Sequence, residues 1–175
     1  MRQYTNLITI LFLIFISVQS SFGAIKGGLT YSIPIEYKNL NETELSEKAE
    51  FFYNKAGKTM NDDMTSALNL YSILSQKNPE NITYTLRLGY LYSLIGKDRY
   101  AKGSFYKAIS IAPQKPEPYF YLGEYYFSRS QYRKALKFYK EAYSKGYNTH
   151  PQTIVRLKQI YRKLGDTKSL NALNG

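Results

Sequence analysis

Cysteine is missing from the chain altogether. That excludes a disulfide framework, a thiolate metal site and a cysteine nucleophile together. Histidine occurs once, as His150 ahead of Pro151. A lone histidine in that setting reads as a helix-capping or surface residue, and metal-spaced histidine pairs are ruled out. Acidic residues are few, 13 against 24 lysines and arginines, so the formal net charge is +11. The sequence has no glycine-rich phosphate loop and no nucleophile elbow. The acidic run Glu42, Glu44, Glu47 and Glu50 is what the positive end of a helix dipole favours, and it needs no catalytic reading. The chain is expected to be no enzyme and to need neither a cofactor nor a metal.

What is present is enough apolar material, 43% of 175 residues, for one domain with a continuous core. The first 23 residues carry a single charge, Arg2, followed by the apolar run Leu7–Val18 and then small residues at Ser21 and Gly23. A charged start, an apolar stretch and small residues before a cut make a secretory signal, with cleavage expected after Gly23. Failing cleavage, the same run would act as a membrane anchor. Export, to the periplasm or the outside, leaves a basic mature chain. Its partner is then a protein or peptide, or an anionic membrane or envelope surface, ahead of nucleic acid. Residues 24–42 contain two glycines, Pro34 and the alternating Leu29-Thr30-Tyr31-Ser32-Ile33, and read as an extended linker or arm. Asn41 and Glu44 have the spacing of a capping box at the start of a helical region.

From residue 43 the sequence repeats. Leu88-Gly89 recurs as Leu122-Gly123, Tyr92 as Tyr126, Ala101 as Ala135, Phe105 as Tyr139 and Ala108 as Ala142, each 34 residues on. One period earlier stand Ala67, Tyr71 and Pro79. Each unit reads as two helices that cannot bury their apolar faces alone and must stack. Glycine inside a helix costs about 1 kcal/mol against alanine. Gly89 and Gly123 therefore mark places where a second helix crosses too closely for a side chain. The alanines are seven apart on one face of that second helix, and Tyr71, Phe105 and Tyr139 follow four residues after the first of them. Asn81 and Pro116–Pro118 fit helix starts, and Pro79 and Pro113 fit helix ends. Pro151–Leu164 repeats the first-helix pattern through Leu157 and Tyr161 if one residue is inserted before it, and Asp166 caps a short polar closing helix.

Leu-Gly-x-x-Tyr followed by Ala, an aromatic, Ala and Pro on a 34-residue period resembles the tetratricopeptide repeat. The likeness covers units at about 48–81, 82–115 and 116–149, with closing helices over 151–173. It implies an all-α solenoid of antiparallel helix pairs, three repeats and a capping pair. Unit one departs from it, with Asn54-Lys55 where Leu-Gly is expected, and unit three has Tyr147 where the proline belongs. In such proteins the first helices line a concave groove that holds a partner peptide or helix. Position by position, the resemblance puts Phe52, Leu86, Tyr90, Phe120, Glu124, Phe127 and Val155 in that groove. The family's clamp for a C-terminal carboxylate needs lysine, arginine and asparagine at places that here hold Leu86, Tyr90, Phe120 and Glu124, so that ligand is rejected. Three readings stand: an interaction module or assembly factor, a structural subunit whose groove is filled by its own arm or a second copy, and a nucleic-acid binder using the basic second helices.

Overall fold

The computed structural model describes residues 37–56 and 62–173. The expected signal and nearly all of the arm lie outside them. Among the described residues there are eight α-helices and no strand: α1 Glu42–Lys55, α2 Asp62–Lys77, α3 Ile82–Leu94, α4 Asp98–Ile111, α5 Glu117–Ser128, α6 Tyr132–Ala142, α7 Pro151–Leu164 and α8 Thr167–Ala172. None is long and apolar enough to cross a membrane.

Four of these helices, α1, α3, α7 and α8, begin where a side chain supplies a missing acceptor. Asn41 Oδ1 accepts from the Glu44 amide and Glu44 Oε2 from the Asn41 amide, both at 3.0 Å, a complete capping box. Asn81 accepts from the Thr83 amide at 3.0 Å and Asp166 from the Ser169 amide at 2.9 Å. His150 is a cap: its Nδ1 accepts from the Thr153 amide, and its ring stacks on Tyr147 at 4.3 Å. Gly96 and Gly165, both at φ +72°, end α3 and α7 in the left-handed conformation that glycine adopts without strain.

The helices pair in order, α1 with α2, α3 with α4, α5 with α6 and α7 with α8, and each pair packs on the next. The period is visible in the core. Ala67, Ala101 and Ala135 are fully buried, and so are Ala108 and Ala142. Tyr71, Phe105 and Tyr139, 34 residues apart, are at most 1% exposed. A Cβ on Gly89 would lie 2.6 Å from the Phe105 ring, and one on Gly123 would lie 3.1 Å from the Tyr139 ring. Leu88, Tyr92, Leu122 and Tyr126 are buried around these contacts.

Two insertions alter the period. The residue gained before α7 is taken up by a wide turn of π type, Tyr143–Tyr147, which closes at Gly146 with φ +122°. In unit one the extra residues fall between α1 and α2, a connection of six residues where α3 and α4 are joined by three. The register of α1 is therefore displaced. Ala49 and Glu50, not Asn54 and Lys55, stand where Gly123 and Glu124 stand in unit three. Glu50 and Glu124 are 74 positions apart instead of the 68 of two strict periods.

Candidate functional site

Three repeat positions meet wherever one pair packs on the next, and their chemistry alternates along the stack. Between pairs one and two, Glu50 accepts from Tyr71 Oη at 2.5 Å and from Arg87 at 3.1 Å. Between pairs three and four, Glu124 accepts from Tyr139 Oη at 2.5 Å and is gripped by Arg156, Nε at 2.7 Å and Nη2 at 3.0 Å. Each guanidinium also lies over a ring of the first helix before it, Arg87 4.2 Å from the Tyr53 centroid and Arg156 4.5 Å from that of Phe127. Burial, reinforced by the neighbouring carboxylate, holds the Tyr71 and Tyr139 hydroxyls neutral far above the ordinary phenol range. Burial pushes Tyr53 up to about 12.

The middle junction has none of this. Where its neighbours place glutamate, tyrosine and arginine, it has Tyr90, Phe105 and Tyr121. Phe105 has no hydroxyl to donate, and neither tyrosine supplies the missing charge. Rings meet instead: Tyr90 and Tyr121 edge to face at 6.3 Å, and Phe105 and Tyr121 stacked at 6.2 Å. Here the first helices α3 and α5 touch directly, while α4 meets α5 over less surface than the corresponding helices do at the other two junctions. A cleft of about 410 Å³ opens there, lined by Tyr90, Ser93, Leu94, Phe105, Tyr121, Glu124, Tyr125 and Ser128. One wall is fixed by Arg129, which pairs with Asp98, reaches the Ser93 carbonyl at 3.4 Å and sits 3.9 Å from the Tyr125 ring centroid. The hydroxyls of Ser93 and Ser128 are spent on the carbonyls of Tyr90 and Tyr125, at 2.7 and 2.9 Å. Both oxygens of Glu124 are bound by Arg156. The cleft therefore presents aromatic faces and phenol groups with its nearby charges paired. It can enclose an apolar or aromatic group; no constellation for proton transfer or nucleophilic attack is assembled in it.

The seven residues expected along the groove do not form one site. Tyr90 and Glu124 line the cleft. Leu86 is buried, 5% exposed, and offers no surface to a partner. Phe120 is half-buried among Tyr121, Tyr139, Tyr147 and His150, with ring centroids 5.1–6.0 Å away, and does not line the cleft. Phe127 lies between Tyr132 and Arg156. Phe52, displaced by the unit-one register, lines a separate hollow with Glu47, Lys48 and Phe51. Val155 is exposed on α7 and lines none of these cavities. Tyr121, Phe105 and Tyr125 escaped the sequence reading as cleft residues. The signal that finds them is the exchange of charged for aromatic residues at one repeat position, Arg87, Tyr121 and Arg156. Among the described residues no group of three or more acidic or histidine side chains is placed to hold a metal.

No family model and no curated protein matches the sequence. In structure the chain is similar to the MamA protein, with TM-score 0.60 and 20% identity over 75% of this chain and 68% of that one. It is similar to the Sgt2 TPR domain from Aspergillus fumigatus, with TM-score 0.61 and 17% identity over 82% and 88%. It also resembles the first TPR of Spaghetti (RPAP3) bound to HSP90 peptide SRMEEVD, with TM-score 0.60 and 17% identity over 71% and 93%. These likenesses establish the fold: an α-solenoid of tetratricopeptide-type helix pairs.

Proposed function

We propose that this chain is an exported, non-catalytic docking module. It holds a partner peptide or helix by burying a large apolar or aromatic side chain in the cleft between α3 and α5. The observation that carries the reading is the change at the middle junction. The fold closes the junctions on either side with a buried tyrosine and a carboxylate–guanidinium pair, and leaves this one open and aromatic. A similar structure, the first TPR of Spaghetti (RPAP3), is bound to HSP90 peptide SRMEEVD. The recognition proposed here differs in chemistry. Among the described residues that line the cleft none is a lysine or arginine to receive a carboxylate, and half of them carry aromatic rings.

Because the neighbouring junctions show a solution that the fold accepts twice, they also supply the test. Tyr90→Glu, Phe105→Tyr and Tyr121→Arg, made together, rebuild the closed network in the middle. Peptides selected from a displayed library by the unaltered chain should share a large apolar anchor, and the folded triple variant should lose them. Selection of the same peptides by both proteins sinks the cleft as the site. Export is tested separately: the protein that accumulates should begin at Ala24. A start at Met1 in membrane fractions would replace the soluble module by an anchored one.

A further inference from the structure

The two ends of the stack each carry an apolar hollow, and the segments that form them differ in net charge. On α1, Phe51 stands one residue after Glu50, as Tyr125 stands one after Glu124. At this place Leu91, Tyr125 and Ile160 are at most 5% exposed, in repeats that have a preceding pair to cover them. Phe51 is 53% exposed, and with Glu47, Lys48 and Phe52 it lines a hollow of about 310 Å³. The face is only partly adapted to water. Lys48 replaces the leucine of the later repeats, Leu88, Leu122 and Leu157, whereas a large apolar side chain is retained at Phe51. At the other end α8 has six residues where α2 and α4 have 16 and 14. The shortfall leaves an apolar cleft of about 260 Å³ lined by Lys140, Tyr143, Ser144, Leu157, Tyr161 and Leu173.

Charge is divided in the same sense. Residues 37–80 carry five lysines against seven acids, a net −2, whereas residues 97–175 carry 16 basic residues against five acids, a net +11. We propose that copies of this chain associate head to tail: the α1 end of one, with Phe51 and Glu47, seats on the apolar cleft between α6, α7 and α8 of the next, where Lys140 supplies a positive charge. A contact between two different surfaces of one chain does not close on itself as a two-fold dimer does, so it builds rings or open filaments. It also supplies the end pair with the apolar cover that each internal pair receives from its neighbour.

The absence of cysteine makes the test clean. Lys48→Cys and Ser144→Cys are placed singly in the full-length chain, expressed with its own leader so that the form that accumulates is the form tested. Both sites are on the surface and leave Phe51 in place. Mixing the two should give a disulfide-linked dimer on oxidation that neither gives alone, and the double variant should give a ladder. Sedimentation velocity should show association that weakens about tenfold or more for Phe51→Asp, since a buried phenyl ring contributes about 1.5–3 kcal/mol, and that weakens again as salt screens the opposed ends. Dimers of the Lys48→Cys chain with itself would overturn the proposal in favour of a two-fold contact. A monomer at every concentration in low salt would overturn it as well and assign the cover of Phe51 to the chain's own residues 24–36.

Discussion

Among the described residues three glycines lie inside α-helices, and the same substitution at each should have three different outcomes. In all three, alanine gains about 0.8–1.0 kcal/mol of helix propensity. At Gly103 that gain stands alone, because the position is exposed and a Cβ would meet nothing within 4 Å. Gly103→Ala should therefore stabilise by about 1 kcal/mol. At Gly123 the new methyl would lie 3.1 Å from three carbons of the Tyr139 ring, against a comfortable carbon–carbon separation of about 3.5–4.0 Å. That ring is held by its hydrogen bond to Glu124. A shift of a few tenths of an ångström costs about as much as the helix gains, so Gly123→Ala should come out near zero. At Gly89 the methyl would lie 2.6 and 2.8 Å from two carbons of Phe105, a ring 1% exposed and stacked on Tyr121. Overpacking of this kind costs about 1–3 kcal/mol, which leaves Gly89→Ala destabilised by about 1 kcal/mol after the helix gain. Urea titration followed by helical circular dichroism should thus rank the variants 103, 123, 89 in falling stability. The outer two should differ by about 2 kcal/mol, or about 1 M in midpoint for a slope near 2 kcal/mol/M. Phe105→Leu, which removes ring atoms from the contact, should make Gly89→Ala less harmful in a double-mutant cycle. If Gly89→Ala were as stabilising as Gly103→Ala, the close crossing of α3 and α4 would be refuted, and with it the reason given for glycine at this place.

Tyr139→Phe removes a hydroxyl that donates to a carboxylate and should cost about 1–2 kcal/mol at neutral pH, read from the urea midpoint. It should also flatten the alkaline limb. The unfolded chain releases this phenol proton near pH 10 while the folded chain keeps it, so stability present below pH 10 is lost as pH rises above it, and the variant should lose less between pH 9 and 11. Arg156→Ala leaves Glu124 half-buried without its cation and strips the guanidinium from Phe127, for an expected loss of about 1–3 kcal/mol. Asp98→Asn touches an exposed carboxylate in the Arg129 pair and should move the midpoint by no more than about 0.5 kcal/mol.

How far the sequence leads depends on whether a feature follows the period or departs from it. The second helices repeat without insertion from Tyr71 to Phe105 to Tyr139, and their buried face can be read directly as alanine and ring at fixed spacing. Caps are equally readable, because Asn41 with Glu44, Asn81 and Asp166 act within three residues of themselves. Unit one fails for a physical reason. A longer connection between α1 and α2 leaves the second helix in period while its partner slides, so counting back 34 from Leu88-Gly89 arrives at the wrong turn. Exposure within the groove is harder still. Leu86 and Tyr90 are four apart on one helix, yet the first is buried and the second lines the cleft, a distinction that spacing along one helix does not carry.

The aromatic content acquires a division of labour once the junctions are compared. A tyrosine that donates to a buried carboxylate is locked in orientation, and the ring beneath an arginine is locked with it; Tyr71, Tyr139, Tyr53 and Phe127 are of this kind. Such rings stiffen the two outer junctions and have few unspent groups to offer a partner. Tyr90 and Tyr121 meet other rings in the equivalent places, and Phe105 cannot make the bond at all. A repeat protein whose neighbouring pairs must all cohere can tolerate one loosened junction only if the pairs on both sides are held firmly, since stability in such a stack is close to a sum of local and nearest-neighbour contributions. The hydrogen-bonded junctions on either side of the aromatic cleft between α3 and α5 meet that condition.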